Sequence, residues 1–478
     1  MAVAWSDEQL QELISSVDVR RRVSVEFLRA MTEGWSQPAA EPKEWLGAAP
    51  RQARRAGIAA DFPGEQLVVP VGRAPRRTND LYYSFRPATD FMWLVGEADQ
   101  GSVLVIGPDG HAVLHVDERP PYGDPRALMD QVRGAVWDGP STPLAAVGAQ
   151  LGLDVRPIAD LEPALRAAPR SRAVRGFDPV VDAIVPDDGQ ELEKQLARRR
   201  LVKEPYEIAE LRDAADASIE GFEAVARVLP EAIKHGQPFV EGLFTSVART
   251  RGRGVSYNPV CGGGADATVL HWFRNDGPVP PDGLLLLDAG VEGRELYSSD
   301  VTRTIPVSGR YSPAQRDVHD VVSAAHRAAV DLVRPGVAYG EPGLAAAAVL
   351  RDGLRSLGVL PHPALERLDE ADLQRRWSLH AVGHMLGIDV HDCAVVAEEY
   401  YEAKLEVGNV LTIEPGLYFS PYDEYAPEHL RGIGVRIEDD VVVTEDGNDV
   451  ISSALPTTSD GMEAWLAAPG ARSTDSTA

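Results

Sequence analysis

Five side chains in this sequence have the types and placement of a metal-dependent hydrolytic centre: Asp288, Asp300, His384, Glu414 and Glu438. Leu284 to Leu287 form an unbroken apolar run that reads as a fully buried strand, and the run ends in Asp288. A carboxylate delivered to the end of a buried strand is costly unless it is paired or binds a metal. Asp300 opens the next apolar segment twelve positions later, and the intervening EGRELYSS suits a hairpin that returns it near Asp288. Glu414 closes the run VLTIE just before Pro415, where a ladder must end or bend. In GVRIEDD the two-residue strand period puts Val435 and Ile437 on one face and Arg436 and Glu438 on the other. An arginine there forms either a plain ion pair or a device that keeps a metal-binding glutamate ionised and oriented. His380, His384 and His391 fall within twelve residues, although the chain has only 11 histidines.

Four carboxylates and one imidazole suit hard or borderline divalent ions: manganese, cobalt, iron or zinc, with magnesium disfavoured by the histidine. Four carboxylates are also more charge than one ion needs. They suit two ions roughly 3.5–4 Å apart, which activate water and polarise a carbonyl. The chemistry expected is metal-assisted hydrolysis.

Other motifs fail on inspection. CGGGADAT at 261–268 lacks the lysine of a phosphate-binding loop and reads as a flexible turn. No Gly-x-Ser-x-Gly elbow is present. His380 and His384 are four apart, but Ala381 stands where a zincin needs glutamate. The run Arg198, Arg199, Arg200 reads as a solvated helix face.

The elements that must position these residues follow from periodicity. Residues 7–33 have apolar positions at helical spacing and read as one helix, followed by a proline-containing stretch over 37–50. Strand-like runs occur at 66–72, 91–96, 102–107 and 111–116, with helices near 125–135 and 159–168. Helices are expected over 189–202 and from Pro205 onward. Strands are then expected at 284–290, 300–307, 409–419 and 434–444, with helices near 312–335 and 341–358 between the pairs.

The chain has 478 residues, which suits two domains. It carries 47 Lys+Arg against 73 Asp+Glu, a net charge of −26. That balance argues against nucleic-acid binding and against docking on an anionic membrane surface. Hydrophobic residues at 44% and charged residues at 25% match a folded globular protein. Two cysteines, Cys261 and Cys393, cannot build a disulfide framework. No apolar run approaches the ~18 residues of a membrane span, and the first residues lack the pattern of a signal peptide. The expected location is the cytoplasm.

The segments LLLLDAG…SSDVTRT, HAVGHMLGIDVHD, LTIEPGLYF and GVRIEDDVVVT, in that order, resemble the pita-bread-fold metallopeptidases, and among them the aminopeptidase P family. The resemblance covers about 205–460. YYSFRPATDFMWLVG at 82–96 is similar to that family's N-terminal domain. The resemblance implies an α/β (α+β) chain: a helical extension over 1–50, an N-terminal α/β domain over 51–200, a catalytic domain over 201–465 with a curved, mostly antiparallel sheet under helices, and a tail over 466–478. It implies hydrolysis of the first peptide bond of peptides with proline at position two, by attack of a metal-bridging hydroxide. Asp288 would be a ligand to one ion, Asp300 and Glu438 would bridge both, and His384 would bind the other. Glu414 would be both ligand and proton shuttle. His271, in VLHWFRND, would contact the scissile region, although by itself it reads equally as a core-edge histidine. His391 would bind the carbonyl next to the proline, and His380 would flank the proline pocket. Tyr418 and Arg436 would support the site and the substrate. The cofactor implied is a pair of divalent ions, manganese first and cobalt, zinc or iron accepted by the same ligands. The partners implied are Xaa-Pro peptides and further copies of the chain, as a dimer or tetramer.

The spacing from Asp288 to Asp300 is twelve positions where many members of that family have eleven, which bears on the local rim of the site. Two alternatives stand beside this family, of which only the first uses the same ligands. A prolidase would cleave Xaa-Pro dipeptides, and a non-catalytic relative would keep the fold without turnover.

Overall fold

The computed structural model describes residues 5–36, 48–168, 170–365 and 367–468. Most of the proline-containing stretch and all but the first three residues of the expected tail lie outside these. The chain divides into two compact units, 1–196 and 197–478.

The first unit opens with helices α1 (Asp7–Ser16) and α2 (Val25–Thr32), where one continuous helix was expected. Polar side chains that compete for the backbone interrupt it. The Asp18 carboxylate accepts the Arg20 N–H, and Ser24 caps a new start by accepting from the Phe27 N–H. The unit's sheet is built on the fully buried strand β1 (Gln66–Pro70). That strand pairs antiparallel with β2 (Val103–Ile106) and parallel with β3 (Ser171–Ala173). The strands Ala112–Val116 and Asp154–Pro157 complete a mixed five-stranded sheet beyond β2.

The segment 91–96, expected as a strand, is a helix. Thr89–Leu94 buries Phe91, Met92, Trp93 and Leu94 together. A short run buried on every side shows neither period, so its pattern could not separate strand from helix. Its last carbonyls accept from three buried arginines of the helix Ala48–Asp61: Arg51 to Met92, Arg54 to Trp93 and Arg55 to Leu94. The helix expected near 125–135 is likewise two short ones, Pro125–Met129 and Ala135–Asp138.

The second unit begins its long helix at Pro205, and this helix runs to Arg227. The Glu204 and Glu207 side chains cap it reciprocally. It packs on the helix Gln237–Arg251 through an edge-on pair, Phe222 and Phe244, with centroids 5.8 Å apart. Three antiparallel strands follow: β4 (Val260–Gly263), β5 (Leu284–Ala289) and β6 (Val301–Pro306), with β5 central.

The glycine-rich 261–268 segment is therefore not a flexible turn. Its first half is a buried strand, with Cys261 opposite Leu287. Its glycines allow contact that a side chain would block. A Cβ at Gly263 would sit 2.3 Å from the Pro278 carbonyl oxygen.

Each of the two last expected strands is broken in two. Residues 409–419 form β7 (Val410–Ile413) and β8 (Gly416–Phe419), and 434–444 form β9 (Ile433–Arg436) and β10 (Asp439–Thr444). β7 pairs with β10 and β8 with β9. The breaks fall at Glu414–Pro415 and Ile437–Glu438, so the chain changes partner beside each carboxylate. Pro415 cannot donate to a ladder, which enforces the first break. Helices Pro313–Val330 and Glu341–Ser356 pack on each other, and the first also contacts β9. One apolar core containing Leu285, Leu287, Ile305, Val322, Leu350 and Val435 joins these layers.

Candidate active site

The β5–β6 hairpin pairs Asp288 with Thr302, which brings Asp300 back beside Asp288. The Tyr257 hydroxyl spans the two, lying 2.6 Å from Asp288 Oδ1 and 2.5 Å from Asp300 Oδ1. The His384 segment lies along β7. Thr412 N–H donates to the His384 carbonyl and Glu414 N–H to the Val382 carbonyl. Glu414 and His384 therefore emerge side by side, with His384 Nε2 3.7 Å from Glu414 Oε1 and 3.3 Å from Asp300 Oδ2. The Met385 carbonyl lies 3.1 Å from His384 Nδ1, so Nδ1 carries the hydrogen and Nε2 faces the carboxylates. Glu438 joins from the β9–β10 break. Its backbone bridges to Thr302, and Thr302 Oγ1 donates to Glu438 Oε2 at 2.6 Å.

Arg436 is buried behind these groups. It pairs with Asp288, donates to the Tyr418 hydroxyl at 2.8 Å and reaches Thr302 Oγ1 at 3.2 Å. His380 Nε2 lies 2.7 Å from the same Tyr418 hydroxyl, and His380 Nδ1 is 3.4 Å from Glu414 Oε2.

All five carboxylate and imidazole positions line one cavity of about 500 Å³. His271, His380, His391 and Arg436 line it too. Tyr418 does not line it and supports the wall through His380 and Arg436. His391 sits 4.3 Å from His384, ring to ring and edge-on. His271 stacks on Phe273 at 5.2 Å.

The charges are crowded. Burial, then the Asp300, Glu414 and Asp288 carboxylates, push Glu438 well above the usual carboxylate range. Burial raises Asp300 as well. For Glu414 burial also acts upward, but the His380 hydrogen bond and charge outweigh it and hold the carboxyl below its ordinary value. Burial pulls His384 down, yet the Asp300 hydrogen bond and the Glu414 charge raise it to about 9.

Such a set fits divalent cations. One ligand atom each from Asp300, His384 and Glu438 lies within 4.8 Å of the other two. Oxygen-rich donors with one imidazole suit hard or borderline ions. A cation would relieve the repulsion that raises Glu438.

Several site residues carry no signal in the sequence. Tyr257, in SYNPV, lies far in the chain from every candidate ligand, and only the fold brings its hydroxyl between Asp288 and Asp300. Thr302 was legible as part of DVTRT but not as a partner of Glu438. Asp440 accepts the Asp300 N–H at 3.2 Å from the sheet behind the site.

Residues 209–445 match the profile of metallopeptidase family M24, and residues 51–174 match the aminopeptidase P N-terminal domain. The chain is 43% identical over 457 residues to Xaa-Pro aminopeptidase 1 of Streptomyces coelicolor, covering 93% of each sequence. It is 42% identical over 455 residues to Xaa-Pro aminopeptidase 2 of the same organism, covering 93% of this chain and 97% of that one. Its fold matches that of zinc-substituted E. coli aminopeptidase P in complex with product, with a TM-score of 0.79 and 28% identity, covering 89% of this chain and 99% of that one. No helix among the described residues is long and apolar enough to cross a membrane. With its N-terminal domain, its pita-bread domain and its carboxylate–histidine cavity, the chain belongs to the aminopeptidase P family, the Xaa-Pro aminopeptidases among the divalent-metal-dependent M24 hydrolases.

Proposed function

We propose that this chain releases the N-terminal residue from peptides with proline at position two, using two divalent ions. The observation that carries this reading is the convergence of Asp288, Asp300, His384, Glu414 and Glu438 on one cavity also lined by His271, His380 and His391. Asp288 would hold one ion, His384 and Glu414 the other, and Asp300 and Glu438 both. When bound, the ions lower the pKa of a water and polarise the scissile carbonyl, and manganese is the first choice among those the donors accept.

The chain's own groups supply the rest. Glu414, kept ionised by His380, takes a proton from the attacking water and delivers it to the departing proline nitrogen. His391 and His271 line the cavity, His391 to bind the carbonyl next to the proline and His271 to contact the scissile region. Proline offers no N–H at the scissile amide, so recognition must come from shape. His380, backed by the Tyr418 hydroxyl that Arg436 holds, provides a rigid face for the pyrrolidine ring. The same reading places the chain in the cytoplasm as a homo-oligomer, a dimer or tetramer.

The test is hydrolysis of Ala-Pro-Ala and Ala-Pro by metal-stripped protein with and without added Mn²⁺. Metal-dependent release of alanine from the tripeptide, with the dipeptide slow, is the expected result. Fast dipeptide cleavage would replace the reading with a prolidase. No turnover of either, with two ions bound, would leave a protein of this fold without the activity.

A further inference from the structure

Behind His384 and His391 lies a fully buried charge cluster that the reaction does not use. Asp392 follows His391 directly, and its side chain is 1% exposed. Lys203 Nζ donates to Asp392 Oδ2 at 3.0 Å, and the Lys203 side chain is also 1% exposed. Arg200 Nε donates to Oδ1 at 3.3 Å, and the Cys393 N–H donates to the same oxygen at 2.9 Å. The two cations come from the chain before the long helix. That chain is itself fixed, because Lys203 N–H donates to the Gly408 carbonyl and Asn409 Nδ2 to the Leu201 carbonyl. A buried carboxylate so gripped cannot shift without exposing an unpaired charge.

Asp392 closes the loop that carries both histidines. Its N–H donates to the Met385 carbonyl at 2.9 Å. That same carbonyl faces His384 Nδ1 and so turns Nε2 toward Asp300 and Glu414. The loop is drawn so tight that a Cβ on Gly387 would stand 2.1 Å from Asp392 Oδ2 and 3.1 Å from Lys203 Cε. His391 itself projects from this closure against the edge of His384.

We infer that Asp392, clamped by Lys203 and Arg200, is a positioning residue that fixes His391 against His384. This rests on the substrate-binding role proposed above for His391. The clamp acts at a distance from substrate, so its loss should appear only where His391 is present to be misplaced.

The test is a cycle of Lys203→Met, His391→Ala and the double variant, with kcat and KM for Ala-Pro-Ala measured at saturating Mn²⁺. Outer partners of site histidines typically matter by roughly 10–100-fold. Lys203→Met should lower kcat/KM by about that range, and adding it to His391→Ala should change little further. Asp392→Asn keeps the side-chain volume and guards against misfolding of the first variant. It should show the same non-additivity. Equal losses with and without His391 would mean a merely structural cluster and overturn the inference. If His391→Ala alone left turnover unchanged, the assigned role of His391 would fail first, and this inference with it.

Discussion

Thr302 and Glu438 exchange backbone hydrogen bonds, Glu438 N–H to the Thr302 carbonyl at 3.1 Å and Thr302 N–H to the Glu438 carbonyl at 3.4 Å. This one bridge ties the β5–β6 hairpin, which carries Asp288 and Asp300, to the strand break that carries Glu438. Thr302 Oγ1 then does double duty, donating to Glu438 Oε2 while accepting from Arg436 Nε. The substitution Thr302→Val keeps the shape and removes both bonds. Metal affinity should fall roughly 10–100-fold, as for other outer partners of metal ligands. Titration of the stripped protein with Mn²⁺ in a calorimeter would measure it, and an unchanged affinity would refute the role.

Arg436 is the buried counter-charge of Asp288 and reaches Tyr418 as well. Removing one partner of a buried pair leaves the other charge uncompensated, at a cost of about 3–5 kcal/mol. Arg436→Leu should lower the urea stability of the metal-free chain by about that much. Tyr418→Phe removes two hydrogen bonds, with Arg436 and with His380, and should cost about 1–3 kcal/mol.

Gly387 is confined by Asp392 and Lys203. Gly387→Ala must push that clamp apart, and overpacking of this kind costs about 1–3 kcal/mol. Thermal unfolding should show it. The same exchange at Gly139, where a Cβ would meet nothing within 4 Å but φ is +82°, isolates backbone strain from the steric effect.

Metal uptake should release protons. Glu438 is held well above the usual carboxylate range, and Asp300 is also raised. Cation binding favours the ionised forms of both groups, so the two equilibria are coupled. Affinity for Mn²⁺ should therefore rise with pH, and calorimetry in buffers of different ionisation enthalpy should detect the released protons. No buffer dependence would contradict the crowding argument.

Two groups give the pH dependence of stability opposite signs. Burial pushes Asp392 up, but Lys203 and Arg200 outweigh it, so its folded pKa lies below the ordinary 3.8. The stabilisation it supplies is complete above 3.8 and is lost as the pH falls through the folded value. Glu438 is raised above 4.5, so the metal-free chain loses stability as the pH rises beyond 4.5. Added Mn²⁺ should remove that alkaline loss. Asp392→Asn should remove the acid one, and urea midpoints across the range would separate them.

The candidate carboxylates were readable because Asp288 and Glu414 end apolar runs, Asp300 opens one and Glu438 shares a strand face with Arg436, places where an ionised group has few explanations other than pairing or a metal. The hairpin between Asp288 and Asp300 was readable from its polar turn. The helix at Thr89–Leu94 was not, because four consecutive buried side chains carry no period and its caps come from Arg51, Arg54 and Arg55, about forty positions earlier. The breaks beside Glu414 and Glu438 were only half readable: Pro415 announces the first, but nothing local announces the second.

The sequence by itself determined the candidate donor types, their order and the family they resemble, since these depend on local pattern and covalent spacing. Only the tertiary structure decided that Tyr257 spans Asp288 and Asp300, that Thr302 supports Glu438, and that Lys203 grips Asp392 from 189 positions away. Those contacts join segments whose side chains have no local relation. They exist because burying the common core leaves each polar group one place to find its partner.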